Sequence, residues 1–377
     1  MKRALALTAC ALAFAACSRQ PAAPPPPRGP EKLLVPEKGA YTGAFIDFGD
    51  TEDDVTVEGI EAFEKMVGKH QAIVASSSYW GEQCFPTANL LCIWRHGSIP
   101  LVYWSPWDRP YDEDQGPDKF SLVNIAAGKW DAYIDHWGDA AAAFGHPFMV
   151  SFANEMNGQW FPWSGMFYGQ DKVIPGTKPP KYVAPEIFKA AYRRVVDRVR
   201  ARGATNVVWV FHAMNYSMPQ AMGGAYPAAM EWNKMGQYYP GPKYVDWLGM
   251  SVYGQQYVED NWSPFEPLLD WPYTEITTME PNKPVMLAEW GIGEFPQFGS
   301  KSGFITEAFN VMKRYPKLKA AVFWNERWQN EPSYDDNGIY HDGGYSDLRV
   351  NSTPASLAAY RKGVGEPFWL GFPLIGH

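Results

Sequence analysis

The chain has 377 residues and a formal net charge of -8, with no basic stripe along it. That balance excludes nucleic acid and an anionic membrane surface as main partners. Aromatic residues make up 16 %, with 17 Trp and 21 Tyr, more than a core alone is expected to need. Flat rings stack on the apolar faces of sugars, so a carbohydrate partner is the expectation for an acidic chain of this kind.

In chain order, the first segment is "MKRALALTACALAFAACSRQ". Two basic residues precede an apolar run too short to span a membrane, the build of a secretory signal. "FAAC", ending at Cys17, resembles a bacterial lipobox, whose Cys is lipidated and becomes the new N-terminus. Residues 1–16 therefore read as a lipoprotein signal peptide. Residues 17–39, with the run "PAAPPPPRGP", read as a Pro-rich tether. Residues 40–377 read as one globular domain. The expected location is the cell envelope, lipid-anchored in the periplasm or at the cell surface, with secretion as the alternative. Two further cysteines, Cys84 and Cys92, suggest a local disulfide in an oxidising compartment. Their spacing has no metal-site pattern, and no metal is expected.

Eight apolar runs follow, over 41–49, 71–80, 99–107, 147–155, 206–215, 245–254, 284–291 and 318–326. Most are continuously apolar, as in parallel strands buried on both faces. Helical patterns fall between them. The clearest is "APEIFKAAYRRVVDRVRARGA", with Pro185 in its first turn and Gly203 closing it. Eight alternating units predict an α/β fold, a single (β/α)₈ TIM barrel. An open Rossmann-like sheet is disfavoured because no Gly-rich phosphate loop follows an early strand.

Each run ends in a polar or aromatic cluster: "WSPWD", "NEMNGQW", "HAMN", "YGQQY", "EWG" and "WNERW" close the third to eighth. In a barrel these ends converge on one face, where barrel active sites lie. Glu155 closes the fourth run and Glu289 the seventh, 134 positions later (289 minus 155). On a closed barrel they would face each other across the mouth. Paired carboxylates among aromatics are the apparatus of glycosidic bond cleavage, one protonated and one ionised.

At these residues the chain resembles a known family. "SFANEMNGQWFPW" together with "LAEWG" is similar to glycoside hydrolase family 26, which contains β-mannanases, mixed-linkage glucanases and xylanases. The early "GAF" and the late "DLRVNSTPASLAAYR" extend the likeness over roughly residues 40–365. The resemblance implies a retaining glycosidase with Glu155 as acid/base, Glu289 as nucleophile and carboxyl groups about 5–5.5 Å apart. It implies that Asn154 contacts the sugar 2-hydroxyl, Tyr253 hydrogen-bonds the nucleophile, and Trp324 and Trp160 line the subsite of the cleaved sugar. Family mannanases commonly carry His where Asn154 stands, a departure that bears on substrate.

Trp80, Trp104 and Trp107 are expected to wall the cleft. His212 and Asn215 are candidates for a cleft role, and Glu326, Arg327 and Trp328 for contact from the last loop. The acidic loop 329–347 lacks the ordered spacing of a calcium site. No cofactor and a monomer are expected. The expected substrate is β-1,4-mannan, with a β-1,3-1,4-glucan or an exopolysaccharide as alternatives. A non-catalytic glycan-binding lipoprotein is the competing reading from a different class.

Overall fold

A computed structural model of the chain describes residues 31–48, 54–110, 116–218, 220–221, 228–334 and 340–377. Cys17, the signal segment and most of the tether lie outside the described residues. Eight strands form a closed parallel barrel: β1 (Ala40–Ile46), β2 (Ile73–Tyr79), β3 (Ile99–Ser105), β4 (Phe148–Phe152), β5 (Val207–Met214), β6 (Trp247–Tyr253), β7 (Val285–Gly291) and β8 (Leu318–Asn325). They are hydrogen-bonded in sequence order, and β8 closes onto β1 in register from Ala320↔Tyr41 to Asn325↔Ile46.

Helices pack around the outside: α1 (Val57–Val67), α2 (Thr87–His96), α3 (Asp131–Phe144), α4 (Val183–Ala201), the one-turn α5 (Met235–Tyr238), α6 (Phe265–Met279), α7 (Lys301–Met312) and α8 (Pro354–Val364). The expected (β/α)₈ barrel is the observed fold. In α4 the residues Phe188, Ala191, Val195 and Val199 are buried at helical spacing, and Gly203 (φ 86°) lies just past its end. Asp131, Asp135 and Asp139 of α3 pair with Arg194 and Arg198 of α4 and with Arg202 at its C-terminal cap, a charged ladder with four-residue steps.

Why the strands read as continuously apolar is clear from their two faces. Ile73, Leu101, Met149, Val210, Met286 and Val322 point into the barrel and form its inner core. Their neighbours Val74, Val102, Val150, Phe211, Leu287 and Phe323 point outward and are covered by helices. Both sets are buried, so each strand is apolar at every position while still obeying the two-residue period.

This alternation corrects two expectations. Trp80 and Trp104 are fully buried, and they wall no cleft. They point outward into the helix layer, where Trp104 stacks on Trp137 with centroids 4.1 Å apart and Trp80 lies 5.2 Å from Trp104. Much of the aromatic excess serves this layer: Trp137, Trp163, Trp209, Trp290 and Trp369 are also fully buried.

Two further expectations are corrected. Cys84 and Cys92 are thiols with no bond between them. Cys84 is exposed, with its Sγ 3.8 Å from Glu82, whereas Cys92 packs from α2 against the core. Burial and the nearby Glu58 raise the Cys92 thiol pKa. Residues 32–39 do not behave as tether. Lys32–Leu33 pairs antiparallel with Ile375–Gly376, and the Tyr41 hydroxyl donates to the Leu34 carbonyl at 2.8 Å.

Candidate active site

β4 carries Glu155 past its last paired residue through an unusual backbone. Ala153 (φ 49°) and Glu155 (φ 54°) are both left-handed, a conformation that non-glycine residues rarely hold outside functional sites. The backbone is held in place from both sides. Ala153 N–H donates to the Trp104 carbonyl at 3.2 Å, and Glu155 N–H donates to the His212 carbonyl at 2.8 Å. Beyond it, buried Asn157 clamps the loop to the end of β5. Its amide donates to the Met214 carbonyl and its oxygen accepts from Met214 N–H, each at 2.9 Å.

Glu289 reaches the mouth by a different device. Strict alternation would turn it outward, since Ala288 points in. A β-bulge intervenes: Leu287 pairs with Met250 and Glu289 with Ser251, leaving Ala288 as the extra residue. The bulge re-aims Glu289 into the barrel and lets Trp290 return to the outer layer.

The two carboxylates therefore meet over the barrel core. One donor atom each from Glu155, Glu289 and His212 lie within 4.8 Å of one another. Both acids are 6 % exposed. Burial raises the pKa of Glu155, while hydrogen bonds from Ser251 and Trp160 pull it partly back. Trp160 Nε1 donates to Glu155 Oε2 at 2.7 Å. The Tyr253 hydroxyl donates to Glu289 Oε2 at 2.7 Å. Burial, and then the charges of Glu289 and Glu155, push the Tyr253 pKa far up, so it keeps the proton it donates.

His212 lies beneath this pair and does not line the groove. It is fully buried, with Nδ1 2.9 Å from Ser151 Oγ and Nε2 2.8 Å from Ser251 Oγ. Burial lowers its pKa to about 3, so the ring is neutral. Glu155, His212 and Glu289 form a donor set on paper, but both ring nitrogens are already engaged by serines. Asn215 is likewise no cleft residue: it is buried and its amide donates to the Leu268 carbonyl at 3.0 Å.

The carboxylates open into a groove of about 790 Å³ lined by Asn154, Trp160, Tyr253, Trp324 and Trp107 among others. Trp324 stacks flat on Phe45 at 3.9 Å, and its Nε1 donates to Glu326 at 2.7 Å. Trp163 is buried and donates to the Asn154 carbonyl at 2.6 Å, while stacked Phe161 faces the groove. Glu326 and Trp328 reach the groove, as expected of the last loop. Tyr79 and Tyr103 were missed: each stands one residue before a Trp that points the other way. Gln256 and Tyr257 reach the groove from the "YGQQY" cluster that closes the sixth run, whereas Tyr216, from the loop after β5, carried no pattern in the sequence.

The model of glycosyl hydrolase family 26 matches residues 93–342, from within α2 to beyond β8. The chain belongs to glycosyl hydrolase family 26. Among proteins of similar sequence, Endoglucanase H of Acetivibrio thermocellus is 29 % identical over 334 residues, covering 87 % of this chain and 30 % of that protein. A mannan endo-1,4-beta-mannosidase of Bacillus subtilis is 23 % identical over 269 residues, covering 67 % of this chain and 63 % of that one. This family 26 chain thus spans between about a third and two thirds of the length of these relatives. A family 26 β-mannanase from Bacteroides ovatus has the same fold, with a TM-score of 0.57, 17 % identity and coverage of 88 % and 90 % of the two chains.

Proposed function

We propose that the protein is a retaining glycoside hydrolase that cleaves internal β-linkages of a polysaccharide, with β-1,4-mannan as its substrate. Glu155 protonates the glycosidic oxygen while Glu289 attacks the anomeric carbon. The C–O bond to the leaving sugar breaks as the bond to Glu289 forms. Glu155, now ionised, takes a proton from water, which displaces Glu289 and restores both groups.

The observation that carries this reading is the carboxylate pair. Its closest oxygens are within 4.8 Å, near the spacing of retaining enzymes and short of the gap an inverting enzyme leaves for water. The raised pKa of Glu155 suits the proton donor, and the Tyr253 hydrogen bond suits an ionised, oriented nucleophile. Asn154, beside the acid, lines the groove, which supports its contact with a sugar hydroxyl. An open groove with aromatic walls suits a chain held along its length. No cofactor enters any of these steps.

A mixed-linkage β-glucan is the second reading, favoured by the similarity to Endoglucanase H and by Asn154. Product analysis on mannan, glucomannan, mixed-linkage glucan and xylan tests both. Mannan and glucomannan are expected to yield oligosaccharides whose first-formed reducing ends are β. Turnover of mixed-linkage glucan alone moves the assignment to the second reading. An α-anomer contradicts the mechanism.

The lipobox-like "FAAC" supports delivery to the cell envelope, with a monomeric domain anchored through lipid on Cys17. Fatty-acid labelling tests this. The wild-type protein is expected to take up label and sediment with membranes, and Cys17→Ser to do neither. Label retained by the variant contradicts the anchor.

A further inference from the structure

At the opposite end of the barrel, Glu64, His70 and His96 converge. Glu64 lies near the end of α1, His70 in the loop that enters β2, and His96 at the last residue of α2. Their sequence spacing forms no ligand motif. In space, His70 Nδ1 is 2.6 Å from Glu64 Oε1 and His96 Nε2 is 3.0 Å from Glu64 Oε2. One donor atom from each of the three lies within 4.8 Å of the others. The side chains are only 12–15 % exposed. Phe372, from the C-terminal segment, covers the His70 ring at a centroid distance of 4.0 Å.

We propose that Glu64, His70 and His96 form a binding site for a zinc-class divalent transition metal. Two imidazole nitrogens, one carboxylate oxygen and a water make a tetrahedral zinc set. Bonds of about 2.0–2.1 Å place tetrahedral ligand atoms about 3.3 Å apart. The 2.6 and 3.0 Å contacts, which go to the two different oxygens of Glu64, would widen by about 0.7 and about 0.3 Å through rotation of the three side chains. In the metal-free protein the His70 Nδ1 and His96 Nε2 protons face the Glu64 carboxylate; to bind the ion each ring would carry its proton on the far nitrogen instead, which for His70 is Nε2, buried without a partner. Nitrogen with carboxylate favours zinc over magnesium or calcium, which prefer all-oxygen shells. The ion would tie α1, α2 and the entry to β2 together beneath the C-terminal segment. It binds at the end of the barrel away from the carboxylate pair and takes no part in hydrolysis.

The test is calorimetric titration of the chelator-treated mature protein with zinc chloride, paired with thermal denaturation and activity. Binding of a single equivalent is expected, with a rise in Tm of a few degrees at saturation and unchanged turnover. Magnesium chloride should produce neither effect. His96→Gln keeps a donor to Glu64 but is a far weaker ligand. It should loosen zinc binding at least about tenfold, the loss of one of three protein ligands, and leave metal-free Tm and activity near wild type. If His96→Gln proves poorly folded, Glu64→Gln serves the same comparison. No zinc binding by the wild type overturns the proposal. So does binding that survives both variants, or that inhibits hydrolysis, since the ion is then held elsewhere.

Discussion

Glu155 is the proton donor in the proposed mechanism, and its environment pulls in two directions. Burial raises its pKa, and hydrogen bonds from Ser251 and Trp160 lower it. Ser251 is in turn held by neutral His212, whose other nitrogen meets Ser151. The chain Ser151–His212–Ser251 thus aims a hydroxyl at the acid from below. Ser251→Ala removes a group that favours the ionised form. The Glu155 pKa should rise further, and the alkaline limb of kcat/KM should move to higher pH with it. A pH–rate profile whose alkaline limb stays in place or moves down would remove Ser251 from this role. The acid limb should not move, because Glu289 takes its own hydrogen bond from Tyr253.

At the scale of elements, the two-residue period decides which ring faces sugar and which faces a helix. Trp104 is predicted to be purely structural. Trp104→Ala should cost about 3–5 kcal/mol in denaturant unfolding and leave the KM of the folded fraction unchanged. Tyr79→Ala, one residue before Trp80, should raise KM with little loss of stability. The reverse pattern would contradict the placement of these faces. The strands themselves were legible in sequence because both of their faces are apolar, and the carboxylate pair was legible because it closes two of those runs. The facing of residues at the rim was not. Continuous apolarity erases the alternation that would distinguish Tyr103 from Trp104. The bulge at Ala288 depends on pairing with β6 and has no local signature. The groove residue Tyr216 comes from a loop whose course is set by tertiary contacts, among them the Asn157 clamp. The Glu64–His70–His96 cluster was illegible for the same reason, since it joins two helices and a loop across the barrel floor.

At the scale of the whole molecule, the barrel separates two jobs. The C-terminal ends of the strands carry strained backbone, a bulge and buried acids. The opposite end carries the pairing of Lys32–Leu33 with Ile375–Gly376 and the His–Glu cluster. The high aromatic content, read in sequence as a sign of sugar binding, is shared between the groove and the layer under the helices. A barrel that only bound glycan would have no use for two acids this close, because their mutual repulsion costs stability unless one holds a proton. The direct measurement is therefore on Glu289→Ala, comparing reducing-sugar release with binding of mannan-derived oligosaccharides by calorimetry. The account predicts that turnover is lost while the oligosaccharide Kd stays close to wild type, because Glu289 is needed for bond cleavage and the aromatic walls hold the chain. Turnover that survives the substitution would contradict it.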